Sequence, residues 1–321
     1  MRLKITGIGL HVPSRVETAA ELSPKIGRSE DWILSRTGVA ERRVSDEDMA
    51  VMGAKAGLEA LGDGPPPDLI LNASGVARQT LPDSSVFIQD AMGMEGIPSH
   101  SVAATCLSFL VAMHTAACFL EVGAYERILI ISSDKGSMGR NYAEPESAAL
   151  LGDGAAAVLV ERTPDGEASA ILNWKMSTWP KGAHLTEVRG GGTRLHPNNP
   201  ETTPEDNLFS MSGPRVYKMA RRKVYDMIDE ILAEKDLSRE QIKRVIPHQA
   251  SGFAVKAYHR FGGFTEDQVV DLIGEYGNCV AAGLPMALAT SWKRGRFDRG
   301  DTILMMGTGA GLSVAGLLLA F

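Results

Sequence analysis

Cys106, His248 and Asn278 are the residues of this chain whose types and settings suit chemistry. Cys106 stands in AATCLSFLVAMHTAACF, behind a run of small residues. It heads a segment with Leu107, Leu110, Val111, His114 and Cys118 at helical spacing. A thiol at a helix N-terminus meets unpaired backbone N–H groups and the positive end of the helix dipole. The expectation is a favoured thiolate, the nucleophilic form. His248 follows Ile-Pro in VIPHQAS and Asn278 follows Tyr-Gly in EYGNCVAAGLP, settings that suit side chains displayed at strand ends. A thiol with a histidine and an amide donor fits acyl chemistry. Each residue also has a plainer reading. A lone cysteine in an apolar stretch is ordinarily an inert core residue, a lone histidine is more often structural, and spacing alone does not join distant residues.

The elements that must position these side chains alternate along the chain. Strand-like runs appear at ITGIGLHV, DLILNAS, RILIISS and AAAVLVE, and a second series at RVIPHQA, DTILMMG and LSVAGLLLA. Helical patterns lie between them, notably 84–92, 107–122 and 216–234. The alternation predicts an α/β protein. Each half has a strand leading to a functional-looking turn and then a glycine-rich strand, a faint similarity that points to duplication. The stretch 163–210, rich in Gly, Pro, Asn and Thr, is expected to cross between halves over the surface. GDGAAA (152–157) is rejected as a dinucleotide fingerprint, because a strand-like run follows where a helix N-terminus is needed. GTGAG (307–311) has the wrong spacing for that motif and lacks the P-loop lysine. Its glycines suit close approach of backbone N–H groups to a substrate oxygen.

Composition narrows the class. The 321 residues suffice for two fused core units, and a net charge of −6 argues against a general nucleic-acid binder. No apolar run approaches the roughly 18 residues that span a membrane. The start, MRLKITGIGLHVPS, lacks a long apolar region and meets Pro13 early, so no signal peptide is expected. Three cysteines without paired spacing suggest reduced thiols in the cytoplasm and no metal site.

ATCLSF around Cys106, PHQAS around His248, the YGN and AA segment around Asn278, and GTGAGLSVAG resemble the β-ketoacyl-acyl carrier protein synthase III family of thiolase-like condensing enzymes, in that family's chain order. WILSRTGVAERR and LLGDGAAAVLVE add two matches. The resemblance implies a five-layer αβαβα fold of two duplicated halves: 1–165 with the nucleophile Cys, 166–321 with His and Asn. It further implies that Cys106 takes an acyl group from an acyl thioester. The backbone N–H groups of Cys106 and Ala310 would hold the oxyanion. His248 and Asn278 would stabilise the enolate formed when a malonyl thioester loses carbon dioxide. No cofactor or metal is implied, since acyl-CoA or acyl-carrier and malonyl-carrier thioesters are substrates. A rival on the same fold is head-to-head acyl condensation, or transfer to an alcohol or amine.

The resemblance also assigns binding residues. Trp32 and Arg36 match an adenine clamp for coenzyme A, but Pro145 stands where a phosphate-contacting arginine is common, and Pro214 and Ser251 replace channel asparagines. Lys218, Arg221, Arg222 and Arg260 would form a basic rim for the acyl carrier protein, with Phe253 where an arginine of that rim is common. The family implies a homodimer in which Leu81, in TLPDSSVF, crosses the interface and closes the acyl pocket. Leucine there predicts acceptance of chains longer than acetyl.

Overall fold

A computed structural model describes all 321 residues. One sheet is built from β1 (Lys4–His11), β2 (Leu69–Asn72), β3 (Ser99–Ser101), β4 (Arg127–Lys135) and β5 (Asp153–Glu161), in the order β1-β5-β4-β2-β3. A second holds β6 (Ala170–Gly182), β7 (Arg244–Pro247), β8 (Thr302–Gly309) and β9 (Gly311–Ala320), in the order β7-β8-β9-β6. Their wiring is the same. β5 lies antiparallel between β1 and β4, and β4 is parallel to β2. β9 lies antiparallel between β6 and β8, and β8 is parallel to β7.

Six helices complete the arrangement relevant to the site: α1 (Glu30–Thr37), α2 (Met49–Leu61), α3 (Ser108–Glu121), α4 (Gly213–Ala233), α5 (Gly252–Phe261) and α6 (Gly283–Lys293). α2 packs on the first sheet and α4 on the second. α3 and α6 contact strands of both sheets and form the middle layer. The layers therefore run αβαβα. A helix enclosed on all sides should be apolar all round. α6 accordingly buries every residue from Gly283 to Ser291. α4 faces water on one side, so its buried positions (Ala220, Val224, Met227, Ile228, Ile231 and Leu232) follow helical spacing. The largest buried cluster joins α3 and α6 to both sheets, and a smaller one underlies each of α2 and α4.

The structure revises three expectations. β6 occupies part of 163–210, which was read as a connection; it is an edge strand with many half-exposed side chains, so it lacks the continuous apolar signal of a buried strand. α4 begins three residues before the predicted 216, with Pro214 in its first turn, where the missing N–H costs nothing. Asn278 does not sit at a strand end. It follows a short helix, Ile273–Tyr276, and Gly277 at φ 68° turns the chain toward α6.

Candidate active site

Cys106 occupies a three-residue 3-10 turn, Thr105–Leu107, just ahead of α3. Thr105 has φ 52°, a left-handed conformation that a β-branched residue rarely adopts. The Ser108 hydroxyl accepts from Ala104 N at 2.9 Å and donates to Thr105 O at 2.7 Å, which ties the turn closed. β8 presses against it. A Cβ on Gly309 would come within 2.7 Å of Thr105 Oγ1, and one on Gly307 within 2.9 Å of Leu107 and 3.1 Å of His248 Cβ. Those glycines let the thiol turn and the histidine approach the same strand.

The backbone N–H groups of Cys106 and Ala310 lie beside the Cys106 sulfur and favour its thiolate. The expected thiolate is nonetheless not favoured. Burial, reinforced by the Asp134 carboxylate, pushes the thiol up to about 12, and the two N–H groups offset this only in part. Position ahead of the helix rather than within its first turn also weakens the dipole's influence. The resting residue is a thiol.

His248 follows β7, and its backbone N–H donates to Met306 O at 2.8 Å, extending the pairing of β7 with β8. The ring is 6% exposed, and its Nδ1 is buried without a partner. Burial holds its pKa down at about 4, so the imidazole is neutral. Gln249 braces the segment by donating to Pro247 O and Val270 O and accepting from Leu272 N.

Asn278 is anchored by its own backbone. Its N–H donates to Leu150 O at 2.7 Å and its carbonyl accepts from Gly152 N at 3.0 Å, which links the two halves. Its side-chain oxygen accepts from Val280 N at 2.9 Å, and its amide nitrogen donates to Ala250 O at 3.4 Å, beside His248. With the oxygen committed, the side chain presents its remaining N–H as a donor. Val280, at φ 53°, is a second strained β-branched residue next to a site segment.

Asp134 is the residue that sequence reasoning missed. It is the last residue but one of β4, is 1% exposed, and accepts N–H bonds from Gly75, Val76, Ala281 and Ala282. It thereby clamps the loop after β2 to the start of α6, next to Asn278. Burial outweighs those bonds and raises its carboxyl to about 6. An acid closing the apolar run ILIISS was the available signal.

A cavity of about 470 Å³ runs from Arg36 and Glu146 at the mouth to His248, Gly307 and Thr308 inside. Arg221, Phe253, Pro214 and Ser251 also border it. Trp32 is half-buried against the packing of α1, with Arg28 over its ring at 5.5 Å, and it does not border the cavity. Lys218, Arg222 and Arg260 are exposed on α4 and α5, as is Lys256, which sequence reading passed over. Leu81 is 80% exposed on the loop before residues 84–91 and touches no part of this cavity. Cys279 is fully buried and its thiol is raised by burial, as befits an inert core residue; Cys118 is exposed on α3.

A duplicated αβαβα architecture, with a thiol at the head of one central helix and an amide ahead of the other, defines a thiolase-like protein. Residues 101–180 match the family described as 3-oxoacyl-[acyl-carrier-protein (ACP)] synthase III, and residues 232–321 its C-terminal counterpart. The chain is 32% identical to β-ketoacyl-[acyl-carrier-protein] synthase III of Pseudoalteromonas atlantica, with both chains covered in full. It is 30% identical to β-ketoacyl-[acyl-carrier-protein] synthase III 1 of Bacillus cereus, over 98% of this chain and 97% of the relative. The crystal structure of 3-oxoacyl-[acyl-carrier-protein] synthase III from Aquifex aeolicus superposes with TM-score 0.90 at 29% identity, covering 99% of this chain and 100% of that one. The chain belongs to the β-ketoacyl-[acyl-carrier-protein] synthase III family.

Proposed function

We propose that this protein joins an acyl group to a malonyl unit to give a 3-oxoacyl thioester and carbon dioxide. Cys106 attacks the carbonyl of an acyl thioester. The carbon–sulfur bond to the donor breaks, the donor thiol leaves with the proton, and the acyl group stays on Cys106. A malonyl thioester then loses carbon dioxide, and its enolate carbon attacks the acyl carbonyl, breaking the bond to Cys106, whose departing thiolate takes a proton from solvent to restore the thiol. The observation that carries this reading is the pair of N–H groups, from Cys106 and Ala310, at the Cys106 sulfur. Donors held there are within reach of the oxygen of an acyl group bound to that sulfur. One such donor is typically worth about 2.7–4 kcal/mol of barrier.

A neutral His248 and the Asn278 amide suit the second step, where negative charge develops on the thioester oxygen. The proton belongs on Nε2, because Nδ1 has no acceptor. Residues 1–165 supply the thiol and 166–321 the two donors. Lys218, Arg221, Arg222 and Arg260 form the rim that receives a carrier protein, a role supported by the exposure of all four and by Arg221 bordering the cavity. The protein works as a homodimer in the cytoplasm. Val76, Leu81 and Val86, exposed on one stretch of chain, support the first point, and three free cysteines the second. No helix is long and apolar enough to cross a membrane.

Intact-mass measurement with acyl thioesters, together with carbon dioxide release from a malonyl thioester, tests the scheme. Cys106→Ala should gain no mass, whereas His248→Ala and Asn278→Ala should still acylate but lose carbon dioxide release by orders of magnitude. Covalent acylation that persists without Cys106 would overturn the assignment. Acylation without carbon dioxide release by the native protein would instead favour transfer to another acceptor.

A further inference from the structure

The mouth of the cavity carries an arrangement of charge that bears on which thioester loads Cys106. Arg36 borders the mouth, and its Nε donates to Glu146 Oε1 at 2.6 Å. Both side chains are about half exposed (55% and 42%), so this pair matters little for stability but sets the local charge. Glu146 and Glu144 line an adjoining depression together with Ser210 and Met211. The Glu144 carboxylate accepts from Ser210 Oγ at 2.8 Å and Met211 N at 3.4 Å and pairs with no cation. Arg36 and Glu146 balance each other and Glu144 has no cation, so this lip carries net negative charge. The helices α4 and α5 bring basic groups: Arg221 borders the cavity, Lys218 and Lys256 stand exposed outside it, and Arg222 is paired with Asp226 at 3.6 Å.

We infer that the acyl donor for Cys106 is a carrier-protein thioester and not free acyl-CoA. This rests on the reading above that an acyl thioester loads Cys106. A pantetheine arm reaching inward to His248 leaves whatever it is attached to at the mouth. Coenzyme A would leave a diphosphate and a 3′-phosphate there, against Glu144 and Glu146, with the charge of Arg36 already balanced by Glu146. A phosphopantetheinyl carrier leaves one phosphodiester, which Arg221 can meet, and an acidic protein surface, which the basic groups of α4 and α5 attract. Like charges at the lip act as discrimination against the wrong donor.

The test compares self-acylation rates, by intact mass, with hexanoyl-pantetheine, hexanoyl-CoA and a hexanoyl-loaded acyl carrier protein. The native protein should take hexanoyl-CoA no more than about twofold faster than hexanoyl-pantetheine, and the loaded carrier at least about tenfold faster, with that advantage shrinking in salt. The double variant Glu144→Gln, Glu146→Gln should raise the hexanoyl-CoA rate about threefold or more while leaving hexanoyl-pantetheine unchanged, which also shows that the variant is folded. A native preference for hexanoyl-CoA of about tenfold or more over hexanoyl-pantetheine would overturn the inference, as would a double variant whose ratio does not move. If no thioester adds mass, the acylation reading itself falls.

Discussion

A thiol raised to about 12 and an imidazole lowered to about 4 are both consequences of burial, and both are measurable. Because Cys106 rests as a thiol, its alkylation by iodoacetamide should accelerate about tenfold per pH unit from pH 6 to 9 with no plateau. A plateau near neutrality, seen in native protein and absent from Cys106→Ala, would mean that the two N–H groups outweigh burial. His248 makes the opposite kind of statement. Its folded pKa lies below the unfolded value of 6.5, so between about 6.5 and 4 the unfolded chain binds a proton that the folded one refuses. Stability from this group is therefore complete above 6.5, is lost as pH falls toward 4, and changes no further below. From pH 7 to pH 5 the loss should be about 2 kcal/mol. Urea midpoints of native protein and His248→Gln isolate it: the native protein should lose about that much more than the variant. Equal losses would show that His248 is solvated or paired in the folded state.

At the scale of elements, the site depends on how closely β8 meets the turn ahead of α3. Gly309→Ala would place a methyl group 2.7 Å from Thr105 Oγ1, 3.2 Å from Leu107 Cγ and 3.3 Å from Ala104 O. Thr105 already holds a strained φ and has little freedom to yield. The expected cost is about 1–3 kcal/mol of stability, the usual range for overpacking. Acylation should fall about 100-fold, because Ala310 and Cys106 would no longer aim their N–H groups at one point. Stopped-flow acylation beside thermal unfolding reads both quantities. A variant that acylates normally would show that the β8 contact is mere packing.

For the whole molecule, the repeat of sheet order explains why the site lies where it does. In the chain α3 lies between β2 and β4, after the edge strand β3, and α6 lies between β7 and β8, so the two central helices occupy equivalent places in the two halves. Cys106 and Asn278 stand just ahead of them, and the backbone of Asn278 is bonded to Leu150 and Gly152 of the other half. A second copy of the chain is expected to complete the acyl pocket. Light scattering at micromolar concentration should give about twice the chain mass, and donors of medium length should be preferred over acetyl. Each buried methylene contributes about 0.8 kcal/mol, so Leu81→Phe should shift the preference toward acetyl several-fold. A monomer, or a native preference for acetyl, would remove the cross-subunit role of Leu81, whose side chain is 80% exposed in the single chain.

The local strings around Cys106, His248 and Asn278, with GTGAGLSVAG, carried the family and its five-layer fold by resemblance, while the strand-like and helical runs by themselves pointed only to an α/β alternation. The same strings were silent on protonation. Whether Cys106 rests as thiol or thiolate depends on enclosure and on Asp134, a residue 28 positions away that meets the site only through folding. Asp134 escaped notice for that reason: its four backbone donors come from two distant loops. β6 was hidden because an edge strand carries a weak apolar signal. The resemblance placed Arg36 in an adenine clamp, and only the packing of residues 145–148 against α1 gave it Glu146 as a partner. Sequence determines which groups are present and how each short segment turns. Desolvation and long-range charge pairing are properties of the assembled interior, and these were decided by the tertiary structure alone.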